Sequence, residues 1–285
     1  MADPRLREAI TAPGCLMAPG VYDLVSAIAA DRRGFPALYM SGFSVTASNM
    51  GLPDAGIATF RDMRERVEQI TSRTSTPLIA DGDTGYGGLL NVKTTVEGYE
   101  KAGASAIQIE DQVFPKKCGH TPDRDVIDTA EMVRKIEVAI EARRSDDFLI
   151  IARTDARTRY GLDAAIARGR AYAAAGADVV FVESPQTDEE LKRICGEIDA
   201  PLLVNAVHGG QTPILSVSGY AEMGFSVAIY PVTSLLAAAH AAGAVYDDLI
   251  RDGAVSDGTP LMKFGDFNRM IGFEDVWDFD RRWAV

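Results

Sequence analysis

The chain has 285 residues, of which 47% are hydrophobic and 25% charged, as in ordinary globular proteins. Its formal net charge of −12 argues against nucleic acid and anionic membranes as partners, because both favour a basic protein surface. A chain of this length can bury a large core, and we expect residues 1–285 to form a single domain.

The sequence carries no visible signal for export or membrane insertion. The first residues, MADPRLREAITAPG, are charged and lack the apolar core of a signal peptide. No apolar run reaches the roughly 18 residues of a membrane span. The three cysteines, Cys15, Cys118 and Cys195, are scattered and lack CxxC spacing, which favours a reducing compartment. We therefore expect a cytoplasmic protein.

Short apolar runs that end in polar residues alternate with longer stretches of helical spacing. One predicted helix covers 62–73, and another has Thr129 as its N-cap. The glycine in each AGA triplet (102–104 and 175–177) is predicted to end a helix. The predicted strands lie at 15–21, 37–43, 77–83, 106–112, 148–155, 178–184, 201–207 and 226–232.

Eight such alternations predict an α/β fold, a (β/α)8 TIM-type barrel. Strands that are apolar throughout suit a parallel sheet covered on both faces. The alternative is a doubly wound open sheet, but its GxGxxG fingerprint is missing from the first strand–helix turn. Active sites of barrels lie at the carboxyl ends of the strands. Six consecutive predicted strands end here in polar residues: Ser41, Asp81 and Asp83, Glu110 and Asp111, Arg153 and Asp155, Glu183, and Asn205.

Two carboxylates end the third predicted strand, in the run ADGDTGYGG. Asp81 and Asp83 lie two positions apart and would share one face of a strand, where Glu110 from the next strand can join them. A few oxygen ligands without histidine suit Mg²⁺, with Mn²⁺ as a substitute, and disfavour zinc. The glycines are not followed by GK[ST], so the run does not indicate a nucleoside triphosphate.

Cys118, in the run FPKKCGH, is the cysteine with a reactive context. Lys116 and Lys117 precede it, and nearby cations lower the pKa of a thiol. It can act as a nucleophile with a separate base or as a proton donor to a developing carbanion, and the second role is simpler beside a Mg²⁺ site. The alternative is a buried structural cysteine, the interpretation we give to the other two cysteines.

The segments ALYMSGF, GLPDAG, ADGDTGYGG, IEDQVFPKKCGH, IIARTDA, FVES and NAVHGG follow one another along the chain. This series resembles the isocitrate lyase/phosphoenolpyruvate mutase superfamily, and KKCGH is similar to the loop of its carbon–carbon lyase branches. The resemblance implies a (β/α)8 barrel with bound Mg²⁺, assembled as a homotetramer in which subunits exchange their last helix. The aromatic-rich tail at 261–283 can cap its own barrel or dock on a neighbour, and the resemblance favours the neighbour.

The resemblance also implies roles for individual residues. Asp81 is implied as the direct Mg²⁺ ligand, with Asp83 and Glu110 close by or acting through water. Cys118 is implied as the proton donor on a mobile gating loop, and Arg153 as the arginine that binds the oxo-acid end of the substrate. The other implied site residues are Lys116, Gly119 and His120 on the loop, Ser41, Gly42 and Phe43 at the substrate carboxylate, and Asp54, Glu183 and Asn205.

Two positions depart from the family pattern. Methylisocitrate lyases carry an arginine shortly after the Tyr-Pro of the eighth strand, whereas this chain is apolar there, near Leu236. That difference speaks against a tricarboxylate substrate. Related members read VEGG after the asparagine, but here His208 precedes the two glycines, which changes charge and size near the site.

The sequence therefore predicts a Mg²⁺-dependent carbon–carbon lyase. Its substrate would be a substituted malate of the dimethylmalate or methylisocitrate type, cleaved to a 2-oxo acid and a carboxylate, with Cys118 as proton donor. The general base stays open between Glu183, Tyr39 and a metal-bound water. Alternatives are P–C bond formation of the carboxyphosphonoenolpyruvate mutase type and oxaloacetate hydrolysis. A Schiff-base aldolase needs a strand lysine, which the eight predicted strands lack, and a mere binding module would have lost part of this residue set.

Overall fold

A computed structural model describes residues 2–119, 121 and 124–284. Its elements in chain order are α1 (Pro4–Thr11), β1 (Leu16–Val21), α2 (Leu24–Asp31), β2 (Leu38–Met40), α3 (Gly42–Met50), α4 (Phe60–Thr71), β3 (Leu78–Asp81), α5 (Leu89–Lys101), β4 (Ala106–Glu110), α6 (Thr129–Ala142), β5 (Leu149–Thr154), α7 (Arg157–Ala174), β6 (Val179–Val182), α8 (Asp188–Glu197), β7 (Leu202–Asn205), α9 (Val217–Met223), β8 (Val227–Tyr230), α10 (Thr233–Asp252), α11 (Phe264–Met270) and α12 (Phe273–Trp283).

The strands of the described chain form a closed parallel barrel in the order β1 to β8, with β8 paired to β1. The predicted (β/α)8 barrel is confirmed, and the open-sheet alternative is wrong. Each predicted strand exists, and Asp81, Glu110, Arg153 and Asn205 lie within their strands. The other polar residues predicted at strand ends lie just past them: Ser41, Asp83, Asp111, Asp155 and Glu183. At the second strand, for example, Ser41 already caps α3, and its hydroxyl accepts a hydrogen bond from the N–H of Ser44.

Helix boundaries agree with the local signals to within about a residue or two. Gly103 and Gly176 have φ of 96° and 95°, the left-handed conformation expected of glycine just past a helix end. The prediction of Thr129 as an N-cap is wrong by one residue. The helix begins at Thr129, and Asp128 occupies the cap position without a side-chain cap hydrogen bond.

The amino-terminal helix α1 closes one end of the barrel. Its Leu6 and Ile10 are buried in the cluster that fills the barrel interior. That cluster contains the first residues of five strands (Leu16, Ala106, Leu149, Val179 and Val227), so α1 lies at the amino-terminal end of the strands. The opposite end, where barrel enzymes carry their sites, is left open.

Leu6→Ala should lower the free energy of unfolding by about 2–5 kcal/mol, because it leaves a cavity in a fully buried position. Urea unfolding followed by circular dichroism measures the change. Glu8→Ala, on the exposed face of the same helix, is the matched control and should stay within about 0.5 kcal/mol of the wild type. Equal midpoints for the two variants would contradict a closing role for α1.

The carboxyl-terminal helices differ from the rest of the fold in their exposure. Within the described residues, neither α10 nor α12 has a buried side chain. Several large apolar groups are open to solvent and form what we call the tail surface: Phe264, Phe273, Trp277, Phe279 and Trp283. In the part of the chain that the structure covers, no helix is both long and apolar enough to cross a bilayer.

Candidate active site

A cavity of about 220 Å³ opens at the carboxyl ends of the strands. Gly42 and Asp83 do not line it but are hydrogen-bonded to Asp81, which does. His120 lies outside the described residues. The other predicted site residues all line the cavity: Ser41, Phe43, Asp54, Asp81, Glu110, Lys116, Cys118, Gly119, Arg153, Glu183, Asn205, His208 and Leu236.

Asp81, the last residue of β3, is fixed by backbone donors. The N–H of Gly42 donates to its Oδ2, and the N–H of Asp83 donates to its Oδ1, each at 3.2 Å. A Cβ on Gly42 would lie 2.8 Å from Asp81 Oδ2, so this close approach needs glycine. Asp83 lies past the strand with φ of 47°. The argument that the two aspartates share a strand face is therefore wrong, and a left-handed turn brings them together instead.

Lys116 is buried between two carboxylates. Its Nζ lies 2.5 Å from Asp54 Oδ1 and 2.6 Å from Asp83 Oδ1. Burial lowers the pKa of Lys116, but the charges of Asp83 and Asp54 outweigh it and hold that pKa well above the usual value. Since its charge is matched by two carboxylates, the lysine ties its loop to the barrel mouth. We expected this lysine to act as a cation near the thiol of Cys118, and in the structure its ammonium group is paired with Asp54 and Asp83.

Arg153, on β5, is surrounded by three carboxylates. Its Nε and Nη2 each donate to Asp155 at 2.8 Å, and Glu110 and Glu183 lie 3.4 and 3.3 Å away. Burial lowers the pKa of Arg153, but these acids, Asp155 first, raise it well above its ordinary value. Its guanidinium also lies over the ring of Phe181, 5.2 Å from the centroid. The group is therefore a fixed cation at the cavity wall.

Glu183 is oriented from two sides. Asn205 Nδ2 donates to its Oε2 at 3.1 Å, and the N–H of Ser184 donates to its Oε1 at 2.7 Å. Ser184 has φ of 60°, and its hydroxyl donates to the carbonyl of Gly119 at 3.0 Å. A Cβ on Gly119 would come within 2.3 Å of Arg153 Nη2. The cysteine loop therefore packs directly on the Arg153–Glu183 pair, and sequence reasoning missed the part that Ser184 plays in this contact.

Tyr39 also lines the cavity and was one candidate for the general base. Its hydroxyl donates to Gln108 Oε1 at 3.2 Å in a buried contact. Burial raises the pKa of Tyr39 well above its usual value, and the charge of Asp81 adds to the effect. A phenol that holds its proton this firmly is a poor base near neutral pH.

The carboxylates at the mouth fit a partial shell around a hard cation. Glu110 Oε1 is buried and has no hydrogen-bond partner in the part of the chain that the structure describes, and Asp81 faces the same cavity. Among the residues described, no group of three or more His, Cys, Asp or Glu is arranged to hold a metal ion. Mg²⁺ commonly takes only one or two carboxylates and completes its shell with water and substrate oxygens. Asp81 and Glu110 match that requirement, whereas Asp83 is engaged by Lys116.

A closed (β/α)8 barrel with carboxylates, an arginine and a thiol around one cavity has the arrangement of an enzyme active site. The family model described as phosphoenolpyruvate phosphomutase matches residues 6–250. The chain therefore belongs to the phosphoenolpyruvate mutase/isocitrate lyase superfamily, and by class it is a carbon–carbon lyase.

Individual relatives match over nearly the full length. The chain is 41% identical over 282 residues to the 2,3-dimethylmalate lyase of Eubacterium barkeri, covering 99% of this chain and 98% of that one. It is 41% identical over 271 residues to the 2-methylisocitrate lyase of Aeropyrum pernix, covering 95% of this chain and 87% of that lyase. The structure of oxaloacetate acetylhydrolase with the inhibitor 3,3-difluorooxalacetate superposes with a TM-score of 0.92 at 35% identity, covering 97% and 95%.

Proposed function

We propose that the chain is a Mg²⁺-dependent lyase that cleaves the C2–C3 bond of a malate carrying short alkyl groups. The observation that supports this most is the division of the cavity lining. Strands β3 to β6 contribute the charged groups Asp81, Glu110 and Arg153, and Glu183 follows directly. The other side, from β7, β8 and the segments after them, is mainly apolar: Val207, Ile229, Pro231, Val232 and Leu236.

The charged side suits the 2-hydroxy carboxylate end of such a substrate. Arg153 presents a guanidinium, which pairs well with a carboxylate. Mg²⁺, held by Asp81 and Glu110, would supply positive charge where oxygen becomes negative as the bond breaks. At the start of α3, the N–H of Gly42 donates to Asp81, and Ser41 and Phe43 on either side of it line the cavity, where they would contact the substrate carboxylate.

The proton transfers follow from the side chains at the cavity. With Tyr39 disfavoured, Glu183 is the base that we assign, and it takes the proton of the 2-hydroxyl group. The O–H electrons form the new C=O bond, and the C2–C3 electrons remain on C3 as an enolate-like carboxylate. Cys118 then gives its thiol proton to C3. Solvent returns the thiolate and the protonated Glu183 to their starting forms.

The apolar side favours alkyl substituents over a third carboxylate. Among the described residues of that wall, His208 is the one that can become charged, and its Nδ1 lies 3.3 Å from Thr233 Oγ1. An additional carboxylate there would be buried mainly against leucine and valine, and no arginine or lysine of the described wall would match its charge, which is unfavourable. We therefore place dimethylmalate-type substrates ahead of methylisocitrate.

A substrate panel tests the proposal. Purified chain with Mg²⁺ is mixed with 2,3-dimethylmalate, methylmalates, methylisocitrate, isocitrate or oxaloacetate, and 2-oxo acid release is followed with lactate dehydrogenase and NADH or by chromatography. The proposal expects the highest kcat/KM with an alkyl-substituted malate. Release of oxalate from oxaloacetate would support hydrolysis instead, and a ³¹P signal of phosphonate product from a phosphorus-containing substrate would support P–C bond formation.

Metal removal should abolish the activity, and Mg²⁺ or Mn²⁺ should restore it. Asp81→Asn is expected to raise the Mg²⁺ concentration for half-maximal activity by at least about 10- to 100-fold, the usual loss when even a supporting group is removed. Titration of chelated enzyme with Mg²⁺ gives this value. Asp257→Asn, at an exposed loop position, is the control and should titrate like the wild type. Full activity in excess EDTA would contradict the metal assignment.

We further propose a cytoplasmic homotetramer of single-domain chains in which the tail surface docks on another copy. So much exposed aromatic area is unusual for a monomer. Multi-angle light scattering should give four times the chain mass of 30.6 kDa. Phe279→Glu should shift the protein to smaller species, whereas Glu274→Lys, a charge change on the same helix, should not. A monomeric wild type would contradict this assembly.

A further inference from the structure

The loop that carries Cys118 closes at its base with a short antiparallel ribbon. The N–H of Val113 donates to the carbonyl of Asp125, and the N–H of Ile127 donates to the carbonyl of Asp111, each at 2.8 Å. Gln112 and Val126 form the bridge between these two hydrogen bonds. The residue just before this ribbon's second strand is an arginine, Arg124, at the place where the loop returns to the barrel.

Arg124 is buried although it does not line the cavity. Its Nη1 donates to Asp155 Oδ1 at 2.7 Å, and its Nη2 donates to Thr158 Oγ1 at 2.6 Å. The side chains of Arg124 and Asp155 are 1% and 0% exposed. Among the described contacts, Asp155 is the partner that Arg124 shares with a residue lining the cavity, Arg153.

Asp155 is shared between two arginines. Its Oδ1 accepts from both Arg124 and Arg153, and its Oδ2 accepts from Arg153. Without Arg124, the guanidinium of Arg153 would face Asp155, Glu110 and Glu183 alone. One cation among three carboxylates leaves little positive potential for an incoming anion, because charge interactions are strong in a buried site.

We propose that Arg124 is a positioning residue that neutralises Asp155 and so leaves Arg153 able to bind the carboxylate of a substrate. This role rests on the proposed function only in requiring that Arg153 binds an anion. This role also couples the cysteine loop to substrate affinity. Arg124 directly precedes the ribbon at the base of the loop, so a displacement of the ribbon would break its hydrogen bond to Asp155.

Binding of oxalate in the presence of Mg²⁺, measured by calorimetry, tests the proposal without any turnover. Arg124→Gln keeps a hydrogen-bond donor but removes the charge, and it should weaken oxalate binding by about 10- to 100-fold, the usual size of a coupling between groups. Arg124→Lys restores the charge and should bind more like the wild type. Thr158→Val, which removes the other partner of Arg124, is the matched control and should change little.

The double variant Arg124→Gln/Asp155→Asn separates charge from scaffolding. If Arg124 acts by neutralising Asp155, removing both charges should recover affinity relative to Arg124→Gln. A purely structural role predicts a further loss. If thermal melting shows that Arg124→Gln does not fold, the double variant Arg124→Lys/Asp155→Asn replaces it. The proposal expects this variant to bind oxalate at least as tightly as Arg124→Lys alone.

Three results would overturn the proposal: wild-type affinity in Arg124→Gln, weaker binding when Asp155→Asn is added, or no oxalate binding by the wild-type chain. In turnover, Arg124→Gln should raise KM more than it lowers kcat. If no malate is cleaved while oxalate binding follows the expected pattern, the lyase reaction is wrong and the role of Arg124 stands.

Discussion

Cys118→Ser should lower kcat on the true substrate by about 10²- to 10⁴-fold, the usual loss when a general acid is removed. A serine hydroxyl occupies nearly the same space but gives up its proton far less readily than a thiol. Cys118 lines the cavity on a loop held by Lys116 and by the contact of Gly119 with Arg153 and Glu183. Because these anchors do not involve the thiol, the fold and substrate affinity should change little.

The other two cysteines provide controls within the same chain. Burial raises the pKa of both Cys15 and Cys195 to about 12, and both pack against the core away from the cavity. Cys15→Ser and Cys195→Ser should therefore keep kcat close to the wild-type value. Steady-state kinetics with the best substrate of the panel measures all three variants. Undiminished turnover by Cys118→Ser would exclude the thiol as the proton donor.

Arg153→Met should lower kcat/KM by about 10²- to 10³-fold, because truncating one partner of a buried charge pair costs about 2–5 kcal/mol in binding. The variant loses the guanidinium that faces the substrate carboxylate. It also leaves Asp155, Glu110 and Glu183 without the cation that they share. Both effects reduce affinity for an anion, so KM should rise together with the fall in kcat.

Arg157→Met is the matched control for this arginine. Arg157, at the start of α7, forms a half-buried ion pair with Glu190 of α8, 33 positions further along the chain, and it does not line the cavity. Its loss should leave kcat/KM within a small factor of the wild type. Thermal melts of both variants separate lost binding from lost folding. Equal kinetics for Arg153→Met and the wild type would remove Arg153 from the site.

The order of elements was readable because strands and helices of a barrel have different apolar periods. Continuous apolar runs predicted all eight strands, and positions 63, 67 and 70 of α4 are buried as their spacing predicts. Some strand ends were predicted too late, because the polar residues after the apolar runs were counted as part of the strands. Ser41 is a helix cap and Asp83 adopts a left-handed turn, conformations that depend on what the tertiary structure places beside them.

The set of cavity residues was also predictable, since the carboxyl ends of barrel strands converge. The ion pairs that these residues form could not be predicted from the sequence. Lys116 lies on Asp54 and Asp83, and Arg124 lies on Asp155, in contacts that join segments 30 or more residues apart. Sequence spacing carries no signal for such ion pairs, because the path of a loop decides which charges meet. For that reason the role of Arg124 emerged only from the structure.

The most direct test of the account is the product analysis of one reaction. The chain is incubated with 2,3-dimethylmalate and Mg²⁺ in D₂O, and the products are followed by NMR. Cleavage with protonation by Cys118 predicts pyruvate and propionate in equal amounts, with one deuterium at C2 of the propionate and much slower formation by Cys118→Ser. Absence of both products, together with oxalate release from oxaloacetate by the same preparation, would contradict the account.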